Sequence, residues 1–341
     1  MKRCKKLKSE SRAMKRCKKL KSESPAMKRC TKLESELPDC IISYIFSKFG
    51  LKDLVKTSAL SKRWIHEWGL RTDLNFDLHT MFDYNTIQDL PNTLPLFQRF
   101  HFQSQFATRL DQFMLHYKGA IIRSIRVNFP LGNEHRDAID RLISKGIAKG
   151  VKHIELLLSS ETNDTIDSIP PYKFPLTLLS DFDSLTYMHL QNCFLLEPLD
   201  FSGFKNLRTL VLHLVDVNQK LLQSLCSNCS HLADFTLDDC QFTSNVIINS
   251  PTLLRLNIVN CGVKRGDNGE VKIPEYITII IIASNLSSFE YSCHKLFLVH
   301  LMNIQAPMLS KFSFRGMEFS KPVGFSVLKN VTKITLDRPL I

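Results

Sequence analysis

LTYMHLQNC, running from Leu185 to Cys193, returns in outline as LRTLVLHLV from Leu207, LADFTLDDC from Leu232 and LLRLNIVNC from Leu253. Each copy opens on leucine and places apolar residues three and five positions later, with mostly polar residues between them. A spacing of two inside so short a segment is the mark of a strand with one face buried. The outline continues at Leu286/Phe289/Tyr291, Leu309/Phe312/Phe314 and Val331/Ile334/Leu336, and weaker copies precede it at Ile122/Ile125/Val127 and Val151/Ile154/Leu156. From Leu185 the starts step by 22, 25, 21, 33, 23 and 22 residues. A single strand of this kind cannot bury its apolar face alone, so the copies must stack.

Most of these steps fall in the range of roughly 20–29 residues typical of leucine-rich repeats. The predicted fold class is therefore α/β: an irregular leucine-rich-repeat solenoid with a parallel sheet over residues 121–341. Cys193, Cys240 and Cys261 recur eight positions after their leucines, where such repeats carry Asn or Cys after the strand. The 33-residue step holds GVKRGDNGE, read as an inserted loop. Between strands, Asp137 to Ala148 shows Ile139, Leu142, Ile143 and Ile147 at helical spacing, and Asn218 to Cys226 reads as a second helix. LLEPLDFSGFKN reads as irregular, and Pro170-Pro171 with Pro175 as a loop. Cys226 and Cys229 form one C-x2-C with no second pair at metal spacing, so zinc is not expected, and Cys226 is assigned to the apolar side of a helix with Leu221, Leu222 and Leu225.

Residues four and six positions after each start should point outward, onto the surface made by the parallel strands. They include Glu155, His189, Gln191, His213, Thr236, Asp238, Asn257, Glu290, Ser313, Arg315, Thr335 and Asp337. This set is polar and mixed in sign, which suits a protein partner better than a nucleic acid. The regular copies between Leu185 and Cys261 put the expected centre of target binding at His189, Gln191, His213, Thr236, Asp238 and Asn257.

The N-terminal region reads differently. MKRCKKLKSES starts at Met1 and again at Met14, and MKRCTKLESEL starts at Met27. Residues 1–36 hold 14 Lys and Arg against 4 Glu. Such a tail, assigned to residues 1–33, is expected to be disordered, and KRCKKLK is a candidate import signal. The Cys at 4, 17 and 30 follows from the duplication. Residues 34–74 then read as a compact helical domain of three helices. Pro38 suits a first turn. Ile41, Ile42, Ile45, Phe46 and Phe49 share a helical face that Gly50 should end. A second helix is expected from about Lys52 to Ala59, and Ser61 can cap a third carrying Trp64 and Trp68. Residues 75–120 are aromatic and polar, and FQRFHFQSQF is expected to pack as a joint.

Leu37-Pro38-Asp39, Ile45-Phe46-Ser47, Lys52-Asp53 and Ser58-Ala59-Leu60-Ser61-Lys62-Arg63-Trp64, closing on Trp68, resemble the F-box of the plant F-box proteins with leucine-rich repeats. The spacing holds without a gap from Leu37 to Trp68. Phe46 and Phe49 stand where the family usually has Leu, and Gly50 where Pro is common. The resemblance implies a three-helix F-box ahead of the repeats. It also implies docking to the Skp-type adaptor of a cullin–RING ubiquitin ligase, with the repeats capturing a protein substrate. Carried over residue by residue, the adaptor-contact set is Leu37, Pro38, Ile41, Ile42, Ile45, Phe46, Leu54, Val55, Leu60 and Trp64.

Composition limits the other classes. The formal net charge is +12, but outside residues 1–36 the chain holds 31 basic and 29 acidic residues. A near-neutral body disfavours a nucleic-acid surface. No apolar stretch follows the basic start, so a signal peptide is not expected. The apolar run from Tyr276 to Ala283 spans 8 residues, far short of the roughly 20 needed to cross a bilayer. An intracellular protein of the nucleus and/or the cytoplasm is expected, with reduced thiols. No phosphate-binding glycine loop, metalloprotease motif or nucleophile elbow occurs, so no catalysis, cofactor or metal is expected. The alternative is a ligase-independent repeat scaffold. Tethering to RNA or DNA through the tail is a third reading.

Overall fold

The computed structural model describes residues 38–57, 71–83, 96–159, 170–179, 183–196, 204–263, 277–293, 299–315 and 330–337. The basic tail, the third helix with Leu60, Trp64 and Trp68, and the inserted loop beyond Val263 lie outside the described residues. The chain divides into two compact units, one of Met1–Phe49 with Asp53–Trp68 and one of Gly50–Lys52 with Gly69–Ile341.

Helix α1 spans Asp39–Lys48 and helix α2 spans Leu51–Thr57. Pro38 precedes the first turn with φ of −59°, and its carbonyl accepts from Ile41 N–H at 2.9 Å. Proline fits here because its missing N–H and fixed φ cost nothing at a helix start. α1 stops at Phe49, whose backbone is extended, one residue before the expected Gly50. α2 ends at Thr57, whose hydroxyl donates back to Leu54 O at 2.7 Å.

The larger unit is built on one parallel sheet. Its strands are β1 (Asp73–Asp77), β2 (Ser124–Asn128), β3 (His153–Leu157), β5 (Tyr187–Gln191), β7 (Thr209–His213), β9 (Asp234–Asp238), β12 (Arg255–Val259), β15 (Ser288–Ser292), β17 (Lys311–Arg315) and β18 (Lys333–Asp337). They pair in that order as a ten-stranded sheet, in parallel and without a register shift. Equivalent residues therefore stand in rows across it. Every repeat read from the sequence supplies one strand. β1 extends the sheet back into the segment expected to act as a joint, because Leu74 and Phe76 supply the same period-two burial as the later copies. That segment also forms α3 (Leu78–Met81) and α4 (Leu96–His116). Asp77 caps α3 in a reciprocal pair with Thr80.

On the inner side, the third and fifth positions of the repeats from β2 to β17 are buried in two continuous stacks, for instance Met188, Leu210, Phe235 and Leu256 beside Leu190, Leu212, Leu237 and Ile258, whereas Ile334 of β18 is 51% exposed. Each such side chain contributes roughly 1.5–3 kcal/mol on burial. Towards the C-terminal end the stacks become aromatic, with Phe289 5.9 Å from Phe312 and Tyr291 stacked on Phe314 at 5.1 Å. At the other end Phe106 lies flat on Phe129 at 4.1 Å, with Phe82 beside both.

Helix α5 (Arg136–Ala148) and helix α6 (Gln219–Asn228) occupy the two segments where helices were expected. α5 ends at Gly150, φ +77°, with Val151 N–H reaching Gly146 O and Gly150 N–H reaching Ile147 O, a left-handed glycine cap. Gly146 lets α5 sit on the sheet: a Cβ there would come 2.4 Å from Ile125 Cδ1. Asn218 Oδ1 caps α6 by accepting from Leu221 N–H at 2.7 Å. Leu221, Leu222, Leu225 and Cys226 face inward, and Cys229 is also buried.

The remaining strands form the back layer. β4 (Tyr172–Pro175) pairs with β6 (Cys193–Leu196), and β8 (Asp216–Val217), β10 (Gln241–Phe242) and β13 (Gly262–Val263) form a second small sheet. β11 (Val246–Asn249), β14 (Ile277–Ile282) and β16 (Val299–Gln305) form a third. Thus the stretch after Pro171, read as a loop, enters a strand that ends on Pro175. β6 likewise takes up the start of LLEPLDFSGFKN, whose residues 197–203 lie outside the described residues.

Two features of the turns were not visible in the repeat outline. Asn192, Leu214, Asp239 and Asn260 all have φ between 50° and 56° and all stand seven positions after their leucines. Each turns the chain out of its strand while its N–H donates to the end of the next strand, at His213, Asp238, Val259 and Ser292 O. A second row lies just ahead of each start. Asn206, Asn285 and Asn330 donate from Nδ2 to Asp183, Pro251 and Pro307 O, and His231 Nδ1 does the same to Lys205 O. These side chains fasten each repeat to the one before it.

Candidate docking helix and recognition face

Helix α1 presents its apolar residues outward. Ile41, Tyr44, Ile45 and Phe49 are 43%, 64%, 39% and 37% exposed. They stand at i, i+3, i+4 and i+8, which is one stripe along the helix. Phe46 turns the other way and is buried, with its ring edge-on to Phe49 at 5.9 Å. Lys48 Nζ lies over the Tyr44 ring, 5.1 Å from its centre, and adds a charge at the border of the stripe. An exposed apolar stripe on a short helix is a surface that gains by being covered.

The structure divides the ten adaptor-contact residues. Pro38, Ile41 and Ile45 are exposed, while Phe46 and Leu54 are interior. Leu37, Leu60 and Trp64, and the side chains of Ile42 and Val55, lie outside the described residues. The sequence reading did not single out Tyr44, although its i+3 spacing from Ile41 is the signal that could have found it.

The second surface is the outer side of the ten-stranded sheet. The six residues expected at its centre lie on the neighbouring strands β5, β7, β9 and β12. Gln191, His213 and Asp238 are consecutive in one row. His189, Thr236 and Asn257 share the adjacent row, with Val211 seated between His189 and Thr236. All six are half-buried. Asn257 Nδ2 donates to Thr236 Oγ1 at 3.2 Å, and Gln191 Nε2 donates to Ser159 Oγ. These bonds restrain the Asn257, Thr236 and Gln191 side chains.

His189 is the most perturbed residue of the face. Burial, then the neighbouring His213 and Arg126, lower its pKa to about 4, and its Nε2 is buried without a hydrogen-bond partner. It is therefore a neutral ring at physiological pH. Glu155 forms an ion pair with Arg126 on the next strand, Nε to Oε2 at 3.3 Å. A third row, two positions after each start, completes the face and was absent from the sequence reading: it runs through His153, Tyr187, Thr209, Asp234 and Arg255 to Ser288, Lys311 and Lys333. The same period-two rule that gave the other two rows gives this one. Within it Asp234 and Arg255 form a two-pronged ion pair at 2.5 and 2.6 Å.

The cysteines belong to the scaffold. Cys240 Sγ and Cys261 Sγ donate to Leu212 O and Leu237 O of the preceding repeats, at 3.2 and 3.4 Å. Cys293 does the same to Cys261 O at 3.6 Å, one position earlier in its repeat than the sequence outline anticipates. Burial pushes the Cys226 thiol up to about 12 and the Cys229 thiol to about 11, so both stay protonated at neutral pH. Among the described residues no group of three or more His, Cys, Asp or Glu side chains is placed to hold a metal ion. No helix among them is long and apolar enough to cross a membrane.

Two stretches match known families. Residues 113–336 match the family described as At1g61320/AtMIF1, LRR domain, and residues 35–66 match the F-box domain. Similar proteins include the F-box/FBD/LRR-repeat protein At1g13570 of Arabidopsis thaliana, 26% identical over 222 residues, covering 64% of this chain and 47% of that protein. Another from the same plant is F-box/FBD/LRR-repeat protein At5g56420, 27% identical over 231 residues, 65% of this chain and 47% of that protein. F-box/FBD/LRR-repeat protein At1g78750 is 26% identical over 269 residues, 76% of this chain and 52% of that protein. The chain thus spans about half the length of the curated relatives it matches.

Proposed function

Because the chain belongs to the plant family of F-box proteins with leucine-rich repeats, we propose that it is a substrate-recognition adaptor of a cullin–RING ubiquitin ligase. The stripe Ile41, Tyr44, Ile45 and Phe49 docks on the Skp-type adaptor, and the outer face of the ten-stranded sheet captures a target protein. The observation that carries this reading is the outward apolar stripe on α1, inside the matched F-box. Covering four such side chains gives a helix-in-groove contact its affinity. The sheet face works differently. Its side chains are polar, held in rows by the backbone register, and selected against wrong partners by charge and hydrogen bonding.

In this reading the chain performs no bond-making step. It brings a substrate within reach of a ligase assembled through the adaptor, and its contribution is effective concentration. In this reading the protein acts inside the cell, in the nucleus or cytoplasm. Co-purification of the full chain with a Skp-type adaptor tests the docking half. Replacing Leu37 and Pro38 with Ala should cut recovery of the adaptor strongly while the repeat unit melts at the same temperature. If the unaltered chain recovers no adaptor, the ligase-independent scaffold is the better reading.

A further inference from the structure

Two ion pairs on the outer sheet face join neighbouring strands. Asp234 is neutralised by Arg255 in the next strand, and Arg126 by Glu155. At β17 and β18 the pattern breaks: Lys311 and Lys333 are direct partners in the register, and both are exposed. Among the described residues no carboxylate lies within 4.0 Å of either ammonium. Like charges placed opposite each other on adjacent strands oppose pairing. Arg315 is exposed two rows further along the same strand. Ser288, Ser313 and Thr335 fill the neighbouring positions of the face with hydroxyls, each a donor as well as an acceptor.

We propose that this corner, Lys311 and Lys333 with the hydroxyls around them, receives an anionic segment of the target polypeptide. The inference rests on the reading of this face as the target-binding surface. An anion lying across the two neighbouring lysines offsets the repulsion between their like charges. The hydroxyls can complete its hydrogen bonds. The occupant is a peptide rather than a duplex nucleic acid, because the rest of the face also carries Asp238 and Glu290, which would repel a long run of phosphates. A short anionic segment fits the corner, and the polar rows from β5 to β12 remain for the residues that follow it. A run of carboxylates and a phosphorylated serine share this chemistry.

The test uses the full chain and fluorescein-labelled twelve-residue peptides: one with four Glu, one with those Glu changed to Gln, and one with a single phosphoserine. The variant Lys311→Glu/Lys333→Glu is compared with Lys5→Glu/Lys6→Glu, which changes net charge equally but alters the basic tail. The corner variant should bind the Glu peptide or the phosphopeptide roughly tenfold more weakly, as loss of two partly exposed contacts implies. The tail variant should bind nearly as the parent does, and the Gln peptide should bind to none of them. Whichever anionic peptide depends on the corner identifies the source of the charge. Equal binding by parent and corner variant, or loss in the tail variant alone, overturns the proposal. So does corner-dependent binding of a double-stranded oligonucleotide in preference to both peptides. Unchanged circular dichroism and unchanged recovery of the Skp-type adaptor by the corner variant separate this result from a failure of the docking reading. Should the variant lose its fold, Lys311→Gln/Lys333→Gln repeats the measurement without introducing new charge.

Discussion

Helix α1 and the middle of the repeat sheet solve opposite problems with the same residue types. On α1 and at its C-terminal end, Ile41, Ile45 and Phe49 are exposed, whereas on β5 to β12 the isoleucines, leucines and phenylalanines of the third and fifth positions are buried to the last few per cent. The sheet keeps its apolar residues for itself and offers polar ones. The helix offers its apolar residues and keeps few. A surface of the first kind derives affinity from exact placement of a few hydrogen bonds and charges. One of the second kind derives it from area removed from water. On the proposed function, the difference would separate a part that chooses among targets from a part that holds one adaptor.

Placing a charge at matched positions breaks this comparison most sharply. Leu237→Asp would bury a carboxylate between Leu212 and Ile258 in the stack, and should cost on the order of 4 kcal/mol or more. Urea unfolding should show an early or lost transition. Ile45→Asp puts the same group into solvent and should move the midpoint little, within about 0.5 kcal/mol. Equal damage from the two would mean that the α1 stripe is packed rather than presented.

Acid offers a second way to set the regions apart. The folded pKa of His189, about 4, lies below its ordinary 6.5. Unfolded chain therefore binds the proton more readily, so the stability that goes with a neutral His189 is complete above pH 6.5 and is lost as pH falls from 6.5 towards 4. His135, lowered chiefly by burial, acts in the same direction. The urea midpoint of the repeat unit should fall between pH 7 and pH 5, and His189→Asn should flatten that fall. An unchanged slope in the variant would show that the burial of His189 does not govern it.

The smallest effect concerns the turns. Three of the four left-handed positions carry Asn or Asp, which tolerate that backbone, and the fourth carries Leu214. A bulky side chain there costs about 1 kcal/mol. Leu214→Asn should raise the urea midpoint by a comparable amount or somewhat less. A fall would show that packing of the leucine outweighs the backbone strain.

These particulars mark what sequence could and could not tell. The strands were legible because each buries two apolar residues at a spacing of two and repeats at a nearly constant step. α5 and α6 were legible from helical spacing. β1 was hidden because only one strand of its kind stands in a segment rich in aromatic residues. β4 was hidden behind Pro170-Pro171. The left-handed turns and the asparagine row carry no apolar signal at all, and they emerge only when equivalent positions of successive repeats are aligned in space. On the docking side, helical periodicity identified the apolar residues of α1. Assigning Phe46 and Leu54 to the interior and Ile41 and Ile45 to the surface required the packed structure, since an apolar side chain reads alike in both settings.

Docking of the Skp-type adaptor on the outward stripe of α1 is the heart of the proposed function. Titration of purified adaptor into the full chain, followed by calorimetry, tests it directly, with Ile41→Asp/Ile45→Asp as the comparison. Saturable binding by the parent, and its loss in a variant whose circular dichroism and melting are unchanged, is the predicted result. Binding of the adaptor with equal affinity by the variant, or no binding by the parent at any concentration tried, would contradict it.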